Sequence, residues 1–231
     1  MTPGAAMIFA AGLGTRMGAL TRDRPKPLIE VGGRPLLDHA LALARDAGVT
    51  RIVVNTHAHP AQMHTHLARV APDAVVSHEP ERLETGGGLK RALPLLGAGP
   101  VFTLNADMVW RGPNPLSALA DAWLPGDGAL LMLVPRGTAI GHGGVGDFFR
   151  DPGSGRLDRR GAAASADFVY AGAEMIDAAA LDGFPDAVFS LNAVWDRLHA
   201  EGRLRGIVHR GGWVDVGRPE GIALAEAELA R

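Results

Sequence analysis

Ala6-Met7-Ile8-Phe9-Ala10-Ala11-Gly12-Leu13-Gly14-Thr15-Arg16-Met17-Gly18, followed by Arg24-Pro25-Lys26-Pro27, is the stretch whose reading decides the fold. It opens as a short apolar run, the pattern of a buried strand, and breaks into a loop of Gly, Thr and Arg. Three glycines within seven residues let the main chain approach a ligand closely and bare its N–H groups, an arrangement that suits a phosphate. Arg16 adds a planar, permanently charged fork that matches phosphate oxygens. Lys26 stands between two prolines, which predict extended backbone at residues 24 and 26 and a cation held stiffly. The spacing is G-x-G-x-x-x-G, one residue too long for a dinucleotide fingerprint, and no Gly-Lys-Ser/Thr follows to make a P-loop. The glycines alone fit a tight turn as well as a phosphate loop. A lysine flanked by two prolines favours a loop that grips a nucleoside triphosphate.

Downstream, apolar runs alternate with helix-patterned segments. A helix over residues 36–47 stops at Gly48, as at a helix C-terminus, and precedes a strand at residues 52–55. A helix from Pro60 leads to a strand at 74–77; a helix over 87–96 leads to a strand at 101–105; a helix over 115–123 leads to a strand at 129–134. This rhythm predicts a Rossmann-like α/β fold, a three-layer sandwich whose mostly parallel mixed sheet is covered by helices on both faces. Ligands of such sheets bind outside the carboxyl ends of the strands. The opening loop and Asn105-Ala106-Asp107 are therefore expected in one crevice.

Beyond Arg136 the rhythm lapses. Residues 141–148 form a glycine-rich turn, 150–160 a polar hairpin-like stretch, and 168–172 a strand. A helix over 191–201, a strand over 204–209 and a helix over 219–229 complete the chain. The reading is one domain over residues 1–231, with a nucleotide-binding half to about 135 and an acceptor-binding half after it. A chain of 231 residues can bury one substantial core.

The formal charge of −2 leaves no electrostatic footprint for nucleic acid. No cysteine is present for disulfides or thiolate zinc sites. No apolar run approaches membrane-span length and no basic stretch precedes the first one, so a cytoplasmic protein without a membrane partner is the expectation. A monomer or small homo-oligomer is expected. Lys26 and Lys90 are the only lysines beside many arginines, a hint that position 26 needs an ammonium.

The other motifs each carry two readings. Asp107, just past an apolar strand, is a metal ligand or a turn and cap aspartate. Asp215, in Trp213-Val214-Asp215-Val216-Gly217, lies in an apolar setting where a carboxylate must be paired or metal-bound. Together they suit Mg²⁺, which takes one or two carboxylates along with phosphates and water. Leu83-Glu84-Thr85-Gly86-Gly87-Gly88 starts a helix with Thr85 as cap, or is a loop whose backbone reads a nucleobase edge. His57, His59, His64 and His66 lack the carboxylate or cysteine of a zinc site and read as a solvated face. Trp110, Trp123 and Trp195 read as packing residues.

In this order, the glycine loop, Arg24-Pro25-Lys26-Pro27-Leu28, Leu83–Gly88, Asn105-Ala106-Asp107 and Trp213–Gly217 resemble the sugar-1-phosphate nucleotidyltransferases over nearly the whole chain. The resemblance implies in-line attack of a sugar 1-phosphate on the α-phosphorus of an NTP, with Mg²⁺ as cofactor and pyrophosphate as product. Within the family, residues 83–88 and 141–148 and the Trp-Val-Asp-Val-Gly stretch most resemble the members that act in peptidoglycan recycling, which implies UTP as donor and N-acetylmuramate α-1-phosphate as acceptor. Guanylyl transfer to mannose 1-phosphate and thymidylyl or uridylyl transfer to glucose 1-phosphate are the alternatives, and a non-catalytic sugar-nucleotide-binding subunit is one of another class. Residue by residue, the family implies that Ala11, Gly12, Leu13 and Gly14 hold the nucleotide and that Arg16 meets the departing phosphates. Lys26 would bridge the donor and acceptor phosphates, and Asp107 and Asp215 would hold the metal. Asn105 would touch the ribose, and Glu84, Thr85 and Gly86 would read the base. Asp147, Tyr170 and Gly172 would face the sugar. Met108-Val109-Trp110-Arg111 departs from the more polar continuation the family shows after the aspartate.

Overall fold

A computed structural model describes residues 2–185 and 187–231. In chain order the strands are β1 (Ala5–Phe9), β2 (Glu30–Val31), β3 (Arg34–Pro35), β4 (Arg51–Thr56), β5 (Val75–His78), β6 (Pro100–Asn105) and β7 (Met108–Arg111). They continue with β8 (Ala129–Pro135), β9 (Phe148–Arg150), β10 (Leu157–Arg159), β11 (Phe168–Asp177), β12 (Leu204–Val208) and β13 (Gly212–Asp215). The α-helices are α1 (Leu36–Asp46), α2 (Pro60–Val70), α3 (Glu84–Leu96), α4 (Pro115–Ala122), α5 (Leu191–Ala200) and α6 (Glu220–Leu229).

Side chains alternate across a strand, so β1 feeds two cores. Ile8 packs with Leu37, Leu41, Met63 and Leu116 of α1, α2 and α4. Met7 packs on the opposite face with Leu89, Leu96, Val194 and Leu198 of α3 and α5. Both faces being covered explains why β1 and β8 read as continuous apolar runs. The main sheet runs β10-β9-β11-β6-β1-β4-β5, with β8 also beside β11 and β12 beyond β8. β6, β1, β4 and β5 are mutually parallel, while β11 is antiparallel to both β6 and β8. The three layers and mixed sheet match expectation. Strands β9 to β12 of the later half are built into the same sheet, while β13 pairs with β7 beside it.

Two local expectations need correction, and one segment that the sequence left unassigned takes a definite form. Residues 26–28 form a 3₁₀ turn, with Leu28 N–H to Pro25 O at 3.0 Å and Ile29 N–H to Lys26 O at 3.0 Å. The pre-proline bias toward extended backbone at Lys26 is a preference, and these two bonds outweigh it. Helix α3 starts at Glu84, so the glycine triplet lies inside its first turns and not in a loop. Residues 108–111 are a strand: β7 pairs antiparallel with β13, with Asp215 opposite Met108. Its apolar residues, which departed from the family pattern, bury Val109 in a third cluster with Met17, Val214 and Val216. Among the described residues no helix is long and apolar enough to cross a membrane.

Candidate active site

The β7–β13 pair brings together two aspartates far apart in sequence. Val216 N–H donates to Asp107 O at 3.0 Å, and Asp215 N–H to Ile140 O at 2.9 Å. Lys26 Nζ reaches Asp107 Oδ2 at 2.6 Å, with the lysine side chain only 9% exposed. Gly14 explains how Lys26 is seated. Its φ of +62° suits glycine, and a Cβ there would lie 2.8 Å from the Lys26 Cβ and 2.9 Å from the Thr21 methyl. The phosphate-loop candidate is thus also the surface against which the lysine stem packs.

Asp215 has a buried Oδ1 without a hydrogen-bond partner. Burial, then the charge of Asp107, pushes its carboxyl above the usual range, against the pull of Lys26, Arg16 and His142. A Cβ on Gly217 would sit 2.8 Å from Asp215 Oδ1 and 3.4 Å from Arg16 Nη2, so this glycine keeps space open between them. Two carboxylates, one with an orphaned buried oxygen, beside a lysine and an arginine fit a hard divalent cation together with phosphates.

Two adjoining hollows open at this point, at the carboxyl ends of the strands. The first, of about 220 Å³, is lined by Ala11, Gly12, Lys26, Glu84, Thr85, Asn105 and Asp107, and also by Asn55, Glu79 and Arg82. The second, of about 280 Å³, is lined by Asp147, Phe148, Arg159, Tyr170, Asn192 and Trp195. Phe9, Thr85 and Asn105 belong to both walls. The chamber beside the Lys26–Asp107 pair therefore shares a wall with the second.

The predicted residues divide accordingly. Asp147 and Tyr170 sit on the second hollow, and Asp147 Oδ2 accepts from Tyr170 N–H at 2.9 Å. Gly172 does not line it. With φ +82° it lies beneath Asn105, and a Cβ would stand 3.0 Å from the Asn105 amide nitrogen. Gly86 is also away from the hollows: its N–H and that of Gly87 both donate to Phe189 O, at 2.9 and 3.0 Å. Thr85 does not cap α3; its Oγ1 accepts from Leu191 N–H at 3.0 Å, tying α3 to α5. Glu84 does face the first hollow, in a left-handed conformation, φ +59°, that is strained for glutamate. Leu13 is 43% exposed at the loop's outer edge.

Several residues here have no counterpart in the sequence reading. Asn55 Oδ1 accepts from Ala10 N–H at 2.6 Å, and its Nδ2 donates to Glu79 Oε1 at 2.7 Å. Glu79, 1% exposed, also accepts from Leu83 N–H at 3.1 Å. This pair links the glycine loop to the start of α3. The signal was available: Asn55 and Glu79 are polar residues at the ends of consecutive parallel strands. Trp195, expected only to pack, lines the second hollow, and its Nε1 donates to Glu174 Oε2 at 2.8 Å. Glu174 is fully buried and accepts from Thr103 Oγ1 at 3.2 Å. Burial raises its carboxyl to about 7, against these two hydrogen bonds. Burial, then Glu174, raises the Tyr170 phenol well above its ordinary value. The histidines disperse: His57 Nδ1 bonds Glu79 O at 2.8 Å, while His66 Nε2 meets Asp38 Oδ1 at 2.6 Å.

Comparison with known proteins agrees with this geometry. Residues 6–179 match the MobA-like NTP transferase domain family. N-acetylmuramate alpha-1-phosphate uridylyltransferase of Caulobacter vibrioides is 42% identical over 237 aligned residues, covering 99% of this chain and 98% of its own. The protein of the same name from Neisseria meningitidis is 33% identical, covering 92% of each chain. The fold is shared with the inositol-1-phosphate CTP transferase of T. maritima, at TM-score 0.81 and 15% identity over 100% of this chain and 98% of that one. The chain belongs to the MobA-like NTP transferase family and is a sugar-1-phosphate nucleotidyltransferase.

Proposed function

We propose that this enzyme transfers the uridylyl group of UTP to N-acetylmuramate α-1-phosphate, releasing pyrophosphate. The observation that carries the choice of substrates is the near full-length similarity, at 42% and 33% identity, to two enzymes named for that reaction. Two adjoining hollows that share Phe9, Thr85 and Asn105, the first of them lined by Lys26 and Asp107, support it, since donor and acceptor must present phosphates to one another.

The donor occupies the first hollow, its triphosphate along Ala11–Gly14 with Arg16 on the β- and γ-phosphates, and the acceptor sugar occupies the second. An acceptor phosphate oxygen bonds to the α-phosphorus as the α–β bridging oxygen departs with pyrophosphate. The acceptor phosphate is already an anion, so no general base is needed. What must be overcome is repulsion between two anions. Lys26, largely buried on the wall of the first hollow and held by Asp107, supplies positive charge where the phosphates come together. Mg²⁺ held by Asp107 and Asp215 would add positive charge against the α-phosphate. In this reading Asn105, which lines both hollows, contacts the ribose, and Glu84 and Thr85, on the first, contact the base. A cytoplasmic monomer or small homo-oligomer goes with this reading.

The test is a panel: purified protein, Mg²⁺, four NTPs and the 1-phosphates of N-acetylmuramate, N-acetylglucosamine, mannose and glucose, scored by pyrophosphate release. UTP with N-acetylmuramate 1-phosphate is expected to give the highest kcat/KM. A higher value for any other pair overturns the assignment of substrates. No release with any pair overturns the reaction.

A further inference from the structure

We infer that Arg159 reads a carboxylate on the acceptor, and that this contact separates an N-acetylmuramate 1-phosphate from otherwise similar sugar phosphates. The inference rests on the proposed reaction and names the residue that makes its acceptor specific. N-acetylmuramate differs from N-acetylglucosamine by a lactyl ether carrying a carboxylate, so a selective site needs a cation in its sugar chamber. The second hollow supplies one in Arg159.

That guanidinium is held in place on three sides. Its Nε donates to Asp196 Oδ1 at 2.7 Å, and its Nη2 to Asn192 Oδ1 at 2.7 Å and Asn192 O at 3.3 Å. It lies over the rings of Phe148 and Trp195, 5.0 and 5.6 Å from their centroids. These contacts use Nε and Nη2; among the described residues Nη1 has no partner. A side chain with its rotamers already fixed loses little entropy on binding, and its planar fork matches a carboxylate.

Two acidic groups stand near, and neither engages Nη1. Asp196 has a side chain 61% exposed, so water screens its charge while it orients Nε. Asp147 is engaged by Tyr170 N–H and remains an acceptor for sugar hydroxyls. The start of α5 is a poor rival for the anion. Leu191 N–H is taken by Thr85, Asn192 N–H by Ser190 Oγ at 3.2 Å, and Ala193 N–H by Ser190 O at 3.1 Å.

The experiment measures kcat and KM with UTP for N-acetylmuramate 1-phosphate and N-acetylglucosamine 1-phosphate, in wild type, Arg159→Met and Arg159→Lys. Wild type is expected to prefer the carboxylate-bearing acceptor. Arg159→Met should lose about 10- to 100-fold in kcat/KM on that acceptor, mostly through KM, the size of a lost charged hydrogen bond. On the acceptor without the carboxylate the loss should be at least several-fold smaller, and a far-UV circular dichroism spectrum like that of wild type shows that the variant is folded. Arg159→Lys, keeping charge without the fork, should lie between. Equal loss on both acceptors, or a preference that survives Arg159→Met, overturns this inference and leaves the proposed reaction standing. A wild type that favours the acceptor without the carboxylate overturns both.

Discussion

Replacing Glu174 by Gln should stabilise the protein at pH 8 and leave its stability at pH 4 nearly unchanged. Glu174 lies in the middle of β11, between Thr103 of β6 and Leu131 of β8, with no exposure to solvent. The groups bonded to it are Trp195 Nε1 and Thr103 Oγ1, both neutral donors. Its carboxyl is raised from the ordinary 4.5 to about 7, because burial penalises the charged form more than two hydrogen bonds favour it. That rise corresponds to about 3 kcal/mol of stability. The sign follows from where each state holds its proton. Below pH 4.5 folded and unfolded chains are both protonated and the stability is fully present. Between 4.5 and 7 the unfolded chain releases the proton and the folded chain keeps it, so stability falls as pH rises. Above 7 the loss is complete. Gln keeps the shape, accepts from Trp195 and can donate to the Thr103 hydroxyl, but does not titrate. Urea unfolding of both proteins at pH 4, 6 and 8, followed by far-UV circular dichroism, isolates this residue, because all other groups titrate alike in the two. The stability difference, Gln minus Glu, should grow by about 3 kcal/mol from pH 4 to pH 8. A difference independent of pH would refute the reasoning.

Lys26→Ala should lower kcat by at least about 10³-fold, since a preorganised charge in a dry site is lost, while the circular dichroism spectrum stays that of wild type. A rate within tenfold of wild type would remove Lys26 from the mechanism. Gly14→Ala places a methyl 2.8 Å from the Lys26 Cβ at a positive φ; kcat should drop about tenfold or more, and melting by calorimetry should show a loss of roughly 1–3 kcal/mol. Asp107→Asn and Asp215→Asn should each raise the Mg²⁺ concentration for half-maximal rate at least tenfold, read by metal titration at saturating substrates. Asn55→Ala cuts the link from the glycine loop to Glu79 and should raise the KM for the nucleotide with little change in the KM for the acceptor, read by initial rates against each substrate.

What could be read from the sequence was local or periodic. The β1 loop, the prolines around Lys26 and the alternation of strands and helices are neighbours along the chain, and they state the sheet and one wall of the site. Asp107 and Asp215 could be named because an aspartate after an apolar strand is costly without a partner. Their closeness depends on β7 pairing with β13 across more than a hundred residues, which no local pattern encodes. The backbone turn at Lys26 escaped because its two hydrogen bonds compete with a dihedral preference of similar size. Gly86 and Gly172 were read as ligand contacts, yet their missing side chains make room for Phe189 and Asn105. A glycine signals close approach without saying what approaches. Arg159, Trp195 and Glu174 were illegible as a group, since β10, α5 and β11 meet only in the folded sheet and its covering helix.

The most direct test that the acceptor phosphate attacks the α-phosphorus follows oxygen atoms. N-acetylmuramate 1-phosphate, with its three non-bridging phosphate oxygens replaced by ¹⁸O, is incubated with unlabelled UTP and Mg²⁺, and the product is read by ³¹P NMR. Attack by the acceptor phosphate on the α-phosphorus predicts one ¹⁸O on the uridine-side phosphorus, in the bridge, three on the sugar-side phosphorus, and none in pyrophosphate. A uridine-side phosphorus without ¹⁸O, or label in the released pyrophosphate, would contradict the account.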